Sequence, residues 1–268
     1  MKKWLLIGLV IMLLVSLGGV VGCGPATVTF PDPNLEAVIR EAIGKAEGPI
    51  LTSDLEILTS LDALEKDIND LTGLEYCISL TELINLGGEE LSNISPLASL
   101  TNLTKLHLNA PVSDISALAS LTDLTELEVL RAQISDISVL ASLINLTHLG
   151  LMDNEISDIS PLAELTNLTS LMIAFNPVKD ISPLSSLTNL KELIISHTLV
   201  SDISPLASLT NLTKLQIWFN QISDISPLVK NSGLSDGDYV NLMNNPLSTT
   251  SVNVYIPELQ ERGVEVSW

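Results

Sequence analysis

The chain has 268 residues and is strongly acidic: 32 aspartate and glutamate residues against 12 lysine and arginine residues give a formal net charge of −20 at pH 7. A surface of this charge repels phosphate backbones and anionic lipid headgroups, which argues against a nucleic-acid-binding protein.

The amino terminus carries the pattern of a secretory signal. Lys2 and Lys3 precede an apolar run from Trp4 to Val21, and a small residue then leads to Cys23. A run that ends in this way resembles a bacterial lipobox, in which a signal peptidase cuts before the cysteine and the thiol carries a diacylglycerol. The resemblance implies that residues 1–22 are a lipoprotein signal peptide and that Cys23 becomes the lipid-bearing first residue.

Lipid on this cysteine would make residues 23–27 a membrane-anchored amino terminus. An uncleaved membrane anchor is the alternative, since the 18 apolar residues of the run can just span a bilayer. Both interpretations place residues 24–268 outside the cytoplasmic membrane, because no second apolar run brings the chain back. Without its two signal lysines the chain keeps ten basic and 32 acidic residues, a net charge of −22.

Two short helices are predicted next. Asp32 and Pro33 can cap and begin an amphipathic helix that ends near Gly44. Ser53 and Asp54 begin a second, shorter helix.

Most of the remaining chain is an internal repeat. The leucines that open its units are spaced by 21 to 23 residues: Leu58, Leu80, Leu103, Leu124, Leu146, Leu168, Leu190 and Leu212. A fixed period of about 20 to 50 residues is typical of a solenoid, in which each coil packs only on its neighbours. Apolar residues occupy unit positions 1, 4, 6, 11, 14, 17 and 20, so every side of the coil turns an apolar residue inward.

Each part of the unit has a predicted structure. Leu149 and Leu151 alternate with polar or small residues, as expected of a short strand that is half buried on a core. A Ser-Pro pair later in the unit can begin a helical turn, with the serine as its cap. Asparagines recur just after the strand, where their amides can bond the turn backbone and stack as a ladder: Asn154, Asn176, Asn220 and Asn245.

The recurring ISDISPL…LTNL pattern of these units resembles the 22-residue leucine-rich repeats of internalin-type bacterial surface proteins. The resemblance implies an α/β solenoid: a leucine-rich-repeat horseshoe with a parallel β-sheet on the concave face, short helical or 3-10 turns on the convex face, and caps at both ends. Members of this family bind host receptors through the concave face, so the resemblance implies a binding protein.

Three regions follow from this architecture, because a solenoid must cover its apolar ends. We expect a helical amino-terminal cap at 28–57, about eight 22-residue repeats at 58–233, and a last irregular coil with a carboxy-terminal cap at 234–268. In the last region, Ser251 to Arg262 are predicted to be helical with a break at Pro257.

No enzyme, cofactor or phosphate-binding motif occurs in the sequence, so we expect neither catalysis nor a cofactor. His107, His148 and His197 lie two coils apart, and the resulting gaps of about 10 Å are too wide for one zinc ion. We therefore expect exposed surface histidines and no metal site.

Cys77 lies among apolar residues and is expected to be a buried thiol. Sequons such as Asn167-Leu-Thr169 recur with the repeat and are expected to be structural.

An aspartate recurs once per coil: Asp114, Asp136, Asp158, Asp180, Asp202 and Asp224. Such a row could hold calcium along one edge, but calcium sites take several oxygen ligands from one loop, and no unit supplies them. Each aspartate stands two residues before a serine, so we expect it to accept backbone N–H bonds in the turn.

Functional residues are expected on the concave side, at the unit positions where the repeats differ. Positions 5, 7 and 8 gather large apolar residues in a chain that is only 3% aromatic. The predicted partner-binding residues are Met152, Met172, Phe175, Ile194, Trp218 and Phe219, with Glu128 and Gln216 beside them. An apolar patch with a polar rim is typical of a binding site.

We therefore expect a monomer that binds a protein partner on its concave face. Carbohydrate or envelope-polymer binding is an alternative, with Trp218, Gln216 and Asn220 as contacts, and a purely structural envelope scaffold is another. For Phe175 and Phe219, the alternative to partner binding is packing beneath the neighbouring coil.

Overall fold

The computed structural model describes residues 26–64 and 66–268. The predicted signal peptide and Cys23 lie outside these residues. Within the described part of the chain, no helix is long and apolar enough to cross a membrane.

Short strands, one to a coil, build the sheet of a solenoid. The strands are β1 (Thr27–Val28), β2 (Ile50–Leu51), β3 (Ser60–Asp62), β4 (Glu82–Leu86), β5 (Lys105–Asn109), β6 (Glu126–Leu130), β7 (His148–Gly150), β8 (Ser170–Met172), β9 (Glu192–Ile194), β10 (Lys214–Gln216), β11 (Tyr239–Asn241) and β12 (Glu265–Ser267). β1 and β2 pair antiparallel, whereas β3 to β12 form one parallel sheet in chain order. This confirms the predicted horseshoe architecture.

Equivalent positions of successive repeats lie side by side in this sheet. Leu149 of β7 is in register with Leu127 of β6 and Leu171 of β8, and all three are fully buried. The leucines that open the eight units are at most 4% exposed. Since burying one leucine side chain stabilises a fold by about 1.5–3 kcal/mol, the repeat of leucines accounts for the continuous core that joins all coils.

One helical turn per coil lies opposite the sheet. Most are 3-10 turns, at Leu74–Tyr76, Ser95–Ser99, Ser116–Ser120, Ser138–Ser142, Ser160–Glu164, Ser182–Ser186 and Ser204–Ser208. In the coil that begins at Leu212 the turn is a short α-helix. The α-helices of the described residues are α1 (Pro33–Ile43), α2 (Thr52–Leu55), α3 (Ser226–Lys230) and α4 (Ile256–Glu261).

The recurring aspartates begin these turns. In each of the six coils, an aspartate Oδ1 accepts the backbone N–H of the serine two residues later at 2.8 Å, as predicted. These bonds lower the pKa of Asp114, Asp136 and Asp180. The predicted serine cap is wrong: serine is the first residue inside the turn, and its own N–H is the group that is capped.

The asparagine ladder is confirmed. Asn176 donates from Nδ2 to the carbonyl oxygen of Leu151 at 2.8 Å, and its Oδ1 accepts the N–H of Ile156 at 3.0 Å. Both partners belong to the preceding coil, so each amide ties one turn to the next. In the following coil Thr198 replaces asparagine, and it bonds the carbonyl of Ile195 at 3.1 Å and the side chain of the next ladder residue.

The amino-terminal helix begins and ends as predicted. Asp32 caps α1 by accepting the N–H groups of Asn34 and Leu35, and its second oxygen accepts those of Asn69 and Asp70. Burial alone would raise the pKa of Asp32, but these four bonds lower it. The helix ends at Gly44, whose φ of 67° is a left-handed conformation that glycine adopts readily.

The carboxy-terminal helix differs from the prediction. A π-helical turn at Ser251–Tyr255 continues directly into α4, and Pro257 lies in the first turn of that helix. The predicted break at Pro257 is therefore wrong. Tyr255 and Ile256, directly before the proline, keep right-handed helical backbone angles, so the helix type changes there but the helix does not break.

Candidate functional site

A row of side chains at unit position 5 crosses the concave face of the sheet. Glu128, Gly150, Met172, Ile194 and Gln216 lie in register on β6 to β10. Gly150 adds no side chain to this row, and its neighbours cover it: a Cβ atom there would lie 3.1 Å from the Cγ of Glu128 and 3.5 Å from the Cε of Met172. The half-buried Met172 and Ile194 thus form an apolar strip between two polar residues.

Unit position 8 has an unusual backbone. In five successive coils its residue adopts a left-handed φ angle of 52° to 60°: Arg131, Asp153, Phe175, His197 and Phe219. Each donates its N–H to the carbonyl at position 7 of the next coil, at 2.9–3.1 Å. L-amino acids with large side chains disfavour this conformation, so the repeated bonds between coils hold it and point successive side chains in the same direction.

Aromatic rings therefore stack from coil to coil. The ring centroid of His197 lies 4.3 Å from that of Phe175 and 4.5 Å from that of Phe219, with interplanar angles of 15° and 14°. Trp218 meets the His197 ring edge-on at 4.5 Å. We call Phe175, His197, Trp218 and Phe219 the aromatic stack. Phe175 and Phe219 are 47% and 46% exposed, so the alternative that they pack beneath the neighbouring coil is wrong.

A groove borders the aromatic stack on the side of the earlier coils. Its volume is ≈ 500 Å³, and it is lined by Asn109, Leu130, Arg131, Met152, Asp153 and Phe175. Leu130, Met152 and Phe175 form the apolar part of the lining, and Arg131 and Asp153 add one positive and one negative side chain. An apolar side chain that carries a polar or charged tip fits such a groove.

The predicted residues fall into two groups. Met172 and Ile194 share the strand row with Glu128 and Gln216, whereas Met152, Phe175, Trp218 and Phe219 lie beyond the strand ends at positions 7 and 8. His197 was not among the predicted binding residues, although it shares unit position 8 with both phenylalanines. Its prediction as an exposed surface residue is wrong, because its ring is partly buried between theirs.

The other two histidines differ from each other. His148 is exposed, as predicted. His107 is partly buried, and its Nε2 lies 2.7 Å from Glu126 Oε1. Partial burial would raise the pKa of Glu126, but hydrogen bonds from Lys105 and His107 lower it overall. The prediction considered only distances between histidines and therefore missed this contact.

Cys77 is fully buried. Burial and the nearby Glu75 carboxylate raise the pKa of its thiol to about 12. The thiolate is the reactive form of cysteine, so this residue belongs to the core, as predicted.

Comparison with protein families assigns the repeat. Residues 144–186 and 188–230 match the model of leucine rich repeats in two copies. Together with the parallel sheet, this makes the chain a leucine-rich-repeat protein.

Solved structures show which family of leucine-rich-repeat proteins the chain resembles. Internalin C2 of Listeria monocytogenes is 36% identical, over 83% of this chain and 98% of its own, with a TM-score of 0.73. A second internalin of that species, inlF, is 29% identical over 92% of this chain and 94% of its own, with a TM-score of 0.50. The chain belongs to the internalin family of leucine-rich-repeat proteins.

A more distant structure shares the fold alone. A leucine-rich-repeat protein of Leptospira interrogans is 17% identical over 80% of this chain and 73% of its own, with a TM-score of 0.59. Comparison with curated protein sequences gives no match.

Proposed function

We propose that this chain is a binding protein, held outside the cytoplasmic membrane by lipid on Cys23, that takes up a protein partner on its concave face. The observation that carries the proposal is the exposed aromatic stack on adjacent coils. Membership of the internalin family supports a role in binding. We propose no catalytic role.

Folding gives little reason for aromatic rings at position 8. Asn244 adopts the same left-handed backbone at position 8 of the last coil, and asparagine tolerates it better than phenylalanine does. Phe175 and Phe219 instead leave almost half of their surface in water. Large aromatic residues that cluster on a surface are typical of the residues that dominate protein interfaces.

The ring arrangement favours a protein partner over a carbohydrate. Both faces of His197 and one face each of Phe175 and Phe219 are covered by a neighbouring ring. A sugar packs on an open ring face, and stacking leaves only the outer faces of Phe175 and Phe219 for one, whereas a protein pocket can also receive the ring edges. The net charge of −20 further favours a partner with basic residues around an apolar centre.

Partner capture with matched variants tests the site. The purified chain is immobilised and exposed to surface extracts and culture medium, beside a Met172→Ser, Trp218→Ser variant. The control variant is Ile78→Ser, Ile144→Ser, since these residues are each 54% exposed and lie in turns before β4 and β7. The proposal requires a protein that the wild type and the control retain and the concave variant loses.

Other outcomes would contradict the proposal. Equal retention by both variants would move the site away from the concave face. If no protein is retained by any form, the scaffold alternative is favoured, and retention of glycan alone favours carbohydrate binding.

The lipid anchor needs a separate test. Metabolic labelling with a radioactive fatty acid is expected to mark the wild-type chain, and Cys23→Ser is expected to abolish the label. An unchanged label in this variant would contradict lipidation at Cys23.

A further inference from the structure

Two neighbouring strands bring a histidine and two glutamates together on the concave sheet, away from the aromatic stack. Lys105 of β5 is in register with Glu126 of β6, and His107 is in register with Glu128. His107 Nε2 lies 2.7 Å from Glu126 Oε1, and His107 Nδ1 lies 3.9 Å from Glu128 Oε2. One atom from each of His107, Glu126 and Glu128 lies within 4.8 Å of the others, the single such group among the described residues.

The donor atoms match the preferences of zinc. Imidazole nitrogen and carboxylate oxygen bind zinc at about 2.0–2.2 Å, which separates tetrahedral ligand atoms by about 3.3 Å. His107 faces Glu126 with Nε2 and Glu128 with Nδ1, and only one of these nitrogens can bind a given zinc ion. Zinc binding therefore needs the 2.7 Å pair to open and the two carboxylates to turn toward the same nitrogen, both of which are side-chain rotations. Calcium and magnesium instead take oxygen ligands, so the histidine favours a transition metal ion.

The local charge also favours a divalent cation. Glu82 of β4 is in register with Lys105, so this lysine lies between Glu82 and Glu126. Three glutamates, Glu82, Glu126 and Glu128, thus lie on the two strands that flank Lys105, and of these Glu126 forms an ion pair with it. The Lys105 Nζ lies 3.0 Å from Glu126 Oε1, and both side chains are about one third exposed. An ion pair as exposed as this one is weak, so a metal ion can displace the lysine.

We propose that His107, Glu126 and Glu128 bind a zinc ion on the concave face. Three protein ligands leave one tetrahedral position open to solvent. The parallel register fixes the backbone of all three ligands, because Glu128 directly faces His107 across the β5–β6 pair. This site is independent of the proposed protein partner, and its test requires none.

Calorimetric titration of zinc chloride into the chelator-treated, purified chain measures the binding. His107→Ala, Glu126→Gln and Glu128→Gln are each expected to lower zinc affinity by more than about 10-fold, since changes to even the outer hydrogen-bonding partners of metal sites cost about 10–100-fold. The altered side chains face solvent, and circular dichroism verifies the fold of each variant.

Two control variants distinguish a specific zinc site from nonspecific attraction of cations to the acidic surface. Glu192 forms the same kind of pair with Lys214 as Glu126 does with Lys105, at 2.6 Å across β9 and β10, but without a histidine. His148 of β7 is exposed and lies in register beside Glu126, but its Nδ1 bonds the Thr147 hydroxyl at 2.9 Å. Glu192→Gln and His148→Ala are expected to keep wild-type zinc affinity. Absence of zinc binding to the wild type, or equal loss in the control variants, would overturn the proposal.

Discussion

Phe175 and Asn176 are adjacent, and the smaller residue, Asn176, should contribute more to the free energy of unfolding than the larger one. Asn176→Ala removes an amide that is 3% exposed. The change leaves the Ile156 N–H and the Ile173 carbonyl without their side-chain partner, whereas the Leu151 carbonyl keeps its bond from Asn154 Nδ2. An unsatisfied buried polar group costs about 1–3 kcal/mol, so this small change should lower the free energy of unfolding by about 2–6 kcal/mol.

The larger change at the neighbouring position should cost less. Phe175→Asn removes a ring that is 47% exposed and stacked on His197. Lost burial and stacking together cost about 1.5–3 kcal/mol, while relief of the left-handed backbone returns about 1 kcal/mol. The net loss is then about 0.5–2 kcal/mol, because the ring is not part of the core.

Urea unfolding followed by circular dichroism measures both free-energy changes. An unchanged slope of the unfolding free energy against urea concentration indicates that both variants expose as much surface on unfolding as the wild type does. Asn211→Ala is the control, since the Asn211 amide bonds a carbonyl on the exposed surface. If Phe175→Asn proves more destabilising than Asn176→Ala, the rings contribute mainly to folding and the reasoning behind the binding proposal fails.

Three further predictions concern the backbone, the turns and the thiol. Arg131→Asn should raise the free energy of unfolding by about 0.5–1 kcal/mol, because Arg131 holds a φ of 52° that asparagine tolerates better; a loss of stability in urea would argue against strain. Asp136 has a lowered pKa in the folded chain, so its contribution is present above about pH 4 and is lost as the pH falls through the folded value. The stability difference between wild type and Asp136→Ala should therefore shrink from about pH 6 to about pH 3, and a constant difference would contradict this origin. Cys77 should resist alkylation at pH 8 until the chain is unfolded, as read by mass spectrometry of its peptide, because its thiol is buried and has a pKa of about 12; rapid native labelling would contradict its burial.

The fold was largely predictable because one physical requirement repeats in every unit. Leucines such as Leu149 and Leu171 recur wherever a coil must point inward, and the structure buries them in register. Asn176 was predictable for the same reason, since every coil must satisfy the backbone of an equivalent turn. The region boundaries at residues 57/58 and 233/234 stay predictions.

The candidate site was predictable only in part. The pattern placed Phe175 and Phe219 on the concave side, but it does not encode the left-handed backbone that stacks them on His197. Contacts such as that between His107 and Glu126 depend on side-chain reach across strands, which unit positions do not determine. The serine cap was misassigned because aspartate and serine are both good capping residues, and the structure uses the aspartate.

Site-specific photo-crosslinking tests the central claim, that a protein partner binds the concave face, most directly. A photoreactive phenylalanine analogue replaces Met172 or Trp218 on the concave side, and Ile144 or Ser185 outside it, in chains exposed to the same surface extracts. The account predicts a crosslinked protein from positions 172 and 218 and none from positions 144 and 185. Crosslinks from positions 144 and 185 alone would contradict it.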